Sequence, residues 1–425
     1  MQFQRIGALA AALALGCVST FIHAADLPQP GTTKILGMNV HTADPTLAEL
    51  NLIKNGGWSM VRMDINWNRV ETVQGQYNFD YGGQWPVNVL YDNWSTQLGK
   101  QNLFILNDVV ATNPIYGAKW SQTWQDGFVN FAAAVAAKWK GSNNIYEILN
   151  EPFNDPVDPS YPPGLYTNLA HRVSQAMRAI DPDVKIIGPA VSPLFAPNYL
   201  RQWFWNGLLN DVDAISLHPY TYNQAPEQIV SMYADVRSWM QQYGGKVIPI
   251  VSSEAGWYTT PATNGVSPQT QADYLTRYNL INMSQNIYGS VEYQFRDYQV
   301  DPNDPESNYG VMATASEPTL ADAKPAYFAM QELAQNLNGK TFSTKLDDGN
   351  SNNWLLLFTA PGGVQTLAYW TAGADQQINL PGWGDLNLTS TPQYITVPEP
   401  GGILLLSLGA GLMGLGRRGR HTSNI

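Results

Sequence analysis

Apolar and polar positions along this chain change period repeatedly. Short, nearly continuous apolar runs rich in β-prone residues alternate with longer segments whose apolar residues recur at helical spacing. The β-prone runs occupy residues 34–41, 59–64, 102–109, 145–150, 184–191, 213–218, 246–254 and 288–295. Helical patterns follow at 45–55, 87–100, 124–140, 164–180, 198–209, 226–243, 268–286 and 324–338. Gly56-Gly57 and Gly244-Gly245 close two of them, and Asp181-Pro182 ends a third. Eight strand–helix alternations in about 300 residues predict an α/β chain folded as a (β/α)8 TIM barrel over residues 30–340. An open doubly wound sheet is the competing arrangement, but no Gly-rich phosphate loop follows the first strand.

From residue 341 the pattern changes. Short strands at 341–346, 354–359, 365–371 and 376–380 are separated by Asp-Asp-Gly and Pro-Gly-Gly turns. They predict a small all-β module over 341–396, too small to be a good sandwich alone and expected to share a sheet or core with residues near 28–33. No internal repeat is found. The acidic stretch 301–307 (D-P-N-D-P-E-S) lacks the ligand spacing of a calcium loop and reads as a solvated loop.

Composition narrows the partners. The chain has 425 residues, 44% of them hydrophobic, with 14 Trp and 22 Tyr, enough for a barrel-sized core and a second small module. Formal net charge is −11. Setting aside Arg5, Arg417, Arg418, Arg420 and Glu399 leaves the middle at about −14. Such a surface repels polyanions, which argues against nucleic acid. Neutral sugars fit better, because their apolar ring faces stack on Trp and Tyr, although most of the aromatics are expected in the core.

Both ends carry targeting patterns. Cys17 is the single cysteine, so no internal disulfide can form. It lies in a segment with basic Arg5, an apolar run 6–18 and small residues Ala24 and Ala25, which predicts a signal peptide over 1–25. Lipoprotein processing before Cys17 is the alternative, but Leu15 lies one place late for it. At the other end V-P-E-P (397–400) precedes an apolar run 401–415 and the basic R-R-G-R. The run is short for a transmembrane segment unless the bilayer thins, and its basic end would stay cytoplasmic. Residues 397–425 resemble the PEP-CTERM sorting signal of Gram-negative bacteria. That resemblance implies export to the periplasm, cell surface or medium, transient inner-membrane insertion, and removal of the tail by an exosortase. A plain C-terminal anchor is the alternative.

Chemistry in a barrel sits where the strands end. The stretch I-Y-E-I-L-N-E-P (145–152) reads as a buried strand stopped by Pro152, with Glu151 biased away from helix and set at the barrel mouth beside Asn150. The run I-V-S-S-E (250–254) ends the same way, in Glu254. Two acids on the fourth and seventh strands can face each other across the mouth, as glycoside hydrolysis requires. The other strand ends carry His41, Asn107-Asp108, His218-Pro219-Tyr220 and Phe295-Arg296-Asp297, with Arg62 inside the second strand. Arg62 can hold the nucleophile ionised, or it can form an ion pair with Glu147 inside the barrel. Glu147, four extended residues before Glu151, is expected about 13 Å deeper. The acid/base is expected to lack a direct cation and to be partly desolvated. His218 is either a site residue or a satisfied core histidine. Trp257 is the best placed of the tryptophans for a sugar platform. No metal or cofactor is called for.

Two of these segments, L-N-E-P (149–152) and S-E-A-G-W (253–257), resemble the catalytic signatures of clan A glycoside hydrolases. V-R-M-D-I-N-W-N-R-V-E (61–71), N-P-I-Y-G (113–117) and I-S-L-H-P-Y (215–220) resemble barrel segments of glycoside hydrolase family 39 in that clan. The resemblance covers about residues 35–338. It implies Glu151 as acid/base, Glu254 as nucleophile, Asn150 on the sugar 2-hydroxyl, and His218 and Tyr220 around the reacting ring, with Tyr220 touching the nucleophile. Many clan members carry a Trp at the end of strand eight, and Phe295-Arg296 is read in its place. The expected function is an exported retaining β-glycoside hydrolase acting on a polysaccharide or oligosaccharide. A non-catalytic surface carbohydrate-binding protein on the same barrel is the alternative, and a structural matrix protein is a third reading.

Overall fold

The structure is a computed structural model that describes residues 27, 35–40, 45–80, 91–110, 112–152, 162–260, 264–298, 301, 303–315 and 318–397. The expected signal peptide over 1–25, the expected sorting segment apart from residue 397, His41, and the stretch 28–33 expected to join the β module lie outside them.

Among the described residues, eight parallel strands close into a barrel: β1 (Ile35–Asn39), β2 (Met60–Asn66), β3 (Gln101–Asn107), β4 (Ile145–Ile148), β5 (Lys185–Val191), β6 (Ala214–Leu217), β7 (Ile250–Ala255) and β8 (Gly289–Glu292). Each overlaps a predicted run, with β2, β3 and β7 reaching one or two residues beyond theirs. Around them are α1 (Leu47–Asn55), α2 (Gln122–Lys138), α3 (Pro163–Ile180), α4 (Pro197–Trp205), α5 (Ile229–Gly244), α6 (Pro268–Ser284) and α7 (Pro325–Leu337). Local chemistry sets their ends. Thr46 and Glu49 form a capping box on α1, Ser121 and Ser267 cap α2 and α6, and α5 stops at Gly245 with φ 73°. The helix expected at 87–100 is instead a π-helical stretch, Tyr91–Gln97, in its described part.

The strands are buried on both faces, so alternation shows as two apolar clusters rather than as apolar and polar sides. Val61, Met63, Phe104, Leu106, Ile148, Ile186 and Leu217 face the helices. Met60, Leu103, Ile145, Ile187, Ala214 and Val251 form a separate apolar floor inside the barrel. Two residues further along their strands, on the same face, come Arg62, Ile105, Glu147 and Ser216. The barrel interior therefore changes from apolar floor to charged layer in one step toward the mouth.

The C-terminal module has two layers. A four-stranded antiparallel sheet contains β9 (Thr341–Leu346), β10 (Asn353–Thr359), β11 (Gln365–Thr371) and β14 (Gln393–Val397), in the order β9-β10-β11-β14. A hairpin of β12 (Gln376–Leu380) and β13 (Gly384–Leu388) covers one face through Leu380, Leu386 and Leu388. β13 (G-D-L-N-L) and β14 (Q-Y-I-T-V), each five residues long and only partly buried, are absent from the strands expected from the sequence. The other face joins the barrel core: Trp354 and Trp370 stack at 5.3 Å, and Trp370 Nε1 donates to Glu227 at 2.9 Å. Arg277 on α6 closes this contact with an ion pair to Glu227 at 2.6 Å.

Because sheet and barrel share one core, Trp370→Ala should cost about 3–5 kcal/mol. Urea denaturation followed by tryptophan fluorescence and far-UV circular dichroism should show one coincident transition, shifted as a unit in the variant. Two separate transitions would contradict the shared core.

Candidate active site

The charged layer of the barrel is organised by Arg62. Its side chain is 1% exposed, on the second strand, and every nitrogen has a partner. Nε donates to Glu147 Oε2 at 2.8 Å, Nη1 to Glu254 Oε2 at 2.6 Å, and Nη2 to Asn150 Oδ1 at 2.7 Å. Burial works against the charge, but Glu147, Glu254 and Asp64 outweigh it and raise the guanidinium pKa further. The two readings of Arg62 are thus both present in one side chain. It is paired with Glu147 and it reaches Glu254.

The depth expected for Glu147 does not hold. β4 ends at Ile148, and Leu149 and Glu151 adopt φ of 61° and 44°, so the chain curls instead of running on extended. One guanidinium then spans Glu147 and Glu254. Glu151 is in the left-handed region, not the extended one that a following proline favours, at a cost of order 1–3 kcal/mol. Its N–H donates to Ala190 O at 3.1 Å, and Ala190 N–H in turn donates to Ser216 Oγ at 2.8 Å. These two bonds fix Glu151 from β5 and β6.

Glu151 and Glu254 are partly exposed, with side chains at 26% and 13%, and both line one cavity of about 360 Å³. His218 lies behind them, fully buried. Its Nδ1 is 2.8 Å from Glu151 Oε1 and 3.9 Å from Glu254 Oε1. Those two oxygens are therefore no further apart than the two distances laid end to end, about 6.7 Å. That bound on one oxygen pair is compatible with the ~5–5.5 Å carboxyl separation of retaining glycosidases. Nε2 lies 3.4 Å from Arg62 Nη2. Burial opposes charge on this imidazole, yet Glu254 and Glu151 outweigh burial and move its pKa up from 6.5. Against the expectation that Glu151 lacks a direct cation, the structure sets the His218 imidazole against it at 2.8 Å.

Tyr220 donates to Glu254 Oε1 at 2.8 Å. Burial first, then neighbouring carboxylates, push the phenols of Tyr220, Tyr293 and Tyr309 well above 10, so all three are neutral donors. Asn150, Tyr220 and Arg62 line the cavity with the two acids. Asn107 does not line it. Its Nδ2 donates to Asp64 Oδ1 at 2.7 Å, and Asp64 takes the place at the wall.

Two expected substrate contacts are corrected. Trp257 is 1% exposed, packed edge-on against Tyr274 and Tyr278, with Nε1 donating to Gln224 O at 3.0 Å. It offers no ring face to a sugar. Phe295 is 4% exposed, its N–H bonded to Asn39 O. β8 ends at Glu292, so the residue at that strand end is Tyr293, which lines the cavity. Gly256 permits this: a Cβ there would stand 2.0 Å from Tyr293 O. The glycine of S-E-A-G-W was the available sign of that close approach. Glu306, in the acidic loop expected to be merely solvated, also lines the cavity, 3.3 Å from the Tyr293 hydroxyl. Asp301 and Asp304 cap backbone N–H groups of their own loop.

Fold and site define a (β/α)8 barrel protein with a carboxylate pair at the ends of strands four and seven. No protein-family model matches the chain, and no curated protein matches it in sequence. Solved structures do share its fold. A family 39 glycoside hydrolase from the gut symbiont Bacteroides cellulosilyticus WH2 superposes with a TM-score of 0.71 at 21% identity, over 89% of this chain and 82% of that one. A glucosidase from Croceicoccus marinus gives 0.60 at 14% identity, over 89% and 83%. A family 39 β-xylosidase from Caulobacter crescentus gives 0.57 at 15% identity, over 84% and 82%. At these identities the likeness establishes the common barrel and module architecture.

Two outcomes follow for stability. Arg62→Met strands Glu147 in the interior and should cost about 3–5 kcal/mol, and Arg62→Met/Glu147→Gln should recover part of it, measured by urea denaturation. His218 has a folded pKa above its unfolded 6.5. Its stabilising contribution is complete below the unfolded value and is lost as pH rises through the raised one. The stability gap between wild type and His218→Gln should therefore shrink as pH rises above about 6.5.

Proposed function

We propose that this chain is a retaining β-glycoside hydrolase acting on an oligosaccharide or polysaccharide. The observation that carries the reading is the placement of Glu151 and Glu254 on one imidazole nitrogen, at 2.8 and 3.9 Å, with the guanidinium of Arg62 on Glu254 at 2.6 Å. A carboxylate held by Arg62 and by the Tyr220 hydroxyl is ionised and aimed, as a nucleophile must be. Glu254 attacks the anomeric carbon while Glu151 passes a proton to the leaving oxygen. The glycosyl–enzyme ester is then hydrolysed by a water that Glu151 deprotonates, and the anomeric configuration is kept. The named activities of the structural relatives support the class of reaction. The sugar stays open between xylose, glucose and mannose types.

The test separates the two acids. Glu254→Ala should abolish turnover of both natural and activated glycosides. Glu151→Ala should lower kcat/KM about 10²–10⁴-fold on natural linkages, much less on 2,4-dinitrophenyl glycosides, and azide should restore turnover as a β-glycosyl azide. Retention of most activity by Glu254→Ala on an activated glycoside would remove the mechanism. Polysaccharide binding without new reducing ends, across xylan, glucan, mannan and the host's own exopolysaccharide, would favour the binding-protein alternative.

Export and exosortase processing belong to the same proposal and rest on residues 1–25 and 397–425 alone. No helix among the described residues is long and apolar enough to cross a membrane. Fractionation of cells expressing the full chain, with mass determination of both termini, tests this part.

A further inference from the structure

The cavity has two chemically different sides. Beside Glu254 stand Tyr220, Tyr293 and Tyr309 with Glu306, a wall of phenols and a carboxylate. On the other side, in the segments that follow β5 and β6, the lining side chains are Tyr222, whose phenol feels the charge of Glu151, and Phe195, which packs on Tyr222. These two rings are exposed, 56% for Phe195 and 47% for Tyr222, whereas Tyr309 is 6% and Trp257 1% exposed. They meet edge to face, with centroids 5.8 Å apart and an interplanar angle of 74°. A single exposed aromatic needs no explanation. Two that brace each other and border the same cavity as the acid/base do. Tyr222 also has φ of 55°, a conformation uncommon for a bulky residue, which sets its ring at the rim.

The position relative to the two acids sets the occupant. The nucleophile meets the anomeric carbon of the sugar being transferred. The acid/base meets the oxygen between that sugar and the leaving group. A wall on the Glu151 side therefore faces the leaving group. Resting on the hydrolase reading above, we infer that Phe195 and Tyr222 form the subsite for the leaving sugar, holding its apolar ring face. The stack is sequence-tolerant toward sugars, because it reads a C–H face rather than a hydroxyl pattern. Selectivity for the transferred sugar then belongs to the phenol and carboxylate side.

The probe is a pair of substrates with the same transferred sugar: a disaccharide (xylobiose, cellobiose or mannobiose) and the corresponding glycosyl fluoride, whose leaving group has nothing to stack. Phe195→Ala and Tyr222→Asn should each lower the ratio of kcat/KM on the disaccharide to kcat/KM on the fluoride about tenfold. Asparagine is chosen because it tolerates the left-handed backbone. Tyr222→Phe should hold the ratio within about twofold, since the ring remains. The ratio cancels any loss of folded enzyme. An unchanged ratio in both ring-removing variants overturns the subsite and leaves the hydrolase standing, as does fluoride turnover by the wild type with no turnover of any of the disaccharides. Failure of the wild type to turn over fluorides and disaccharides alike overturns both.

Discussion

The guanidinium of Arg62 is the interaction on which the site depends. It is a buried cation that touches carboxylates from β4 and β7 and the amide of Asn150, and it approaches His218. A charge removed from water costs several kcal/mol unless its partners are numerous and well placed. Here the partners include the proposed nucleophile, Glu254. The same cation that makes a buried Glu147 tolerable holds Glu254 in register at the mouth. Fold stability and the geometry of the proposed nucleophile are thus coupled through one side chain.

The acids reach their positions by different physical means. Glu254 follows directly from a strand, β7, and is held by Arg62 and Tyr220. Glu151 is on a backbone in the left-handed region, held there by its N–H bond to Ala190 and backed by His218. Strain of this kind persists only where surrounding bonds over-determine it. The gain is preorganisation: both carboxylates are directed at one small volume before any ligand arrives. The cleft around them is asymmetric, with the phenols of Tyr220, Tyr293 and Tyr309 on one side and the exposed rings of Phe195 and Tyr222 on the other, the asymmetry on which the proposed leaving-sugar subsite rests.

The β module is more than an appendage. Its Trp354–Trp370 stack is part of the same apolar cluster as the barrel helices, and Glu227, at the start of the segment leading into α5, ties Trp370 to Arg277. The segment after β6 that carries Tyr222 leads into this contact. Module, helix layer and cavity rim are therefore mechanically continuous.

How much of this was legible in the chain depends on the range of the interaction. Periodicity, caps and turn residues are local, and they located all eight barrel strands, the two acids at strand ends and four of the six strands of the module. Parity and strand-end reasoning failed where backbone left the regular path. It put Glu147 too deep because Leu149 and Glu151 have positive φ, and it assigned the end of strand eight to Phe295 because nothing local marks β8 as stopping at Glu292. Trp257 looked like a platform because aromatic character is visible in sequence and burial is not. Glu306, Phe195 and Tyr222 come from irregular segments, whose course is set by what they pack against. The sequence by itself determined the barrel, its order and the identity of its acids. Only the tertiary structure decided which side chains share the cavity, because that depends on contacts between residues far apart in the chain, such as Arg62 and Glu254, 192 positions apart.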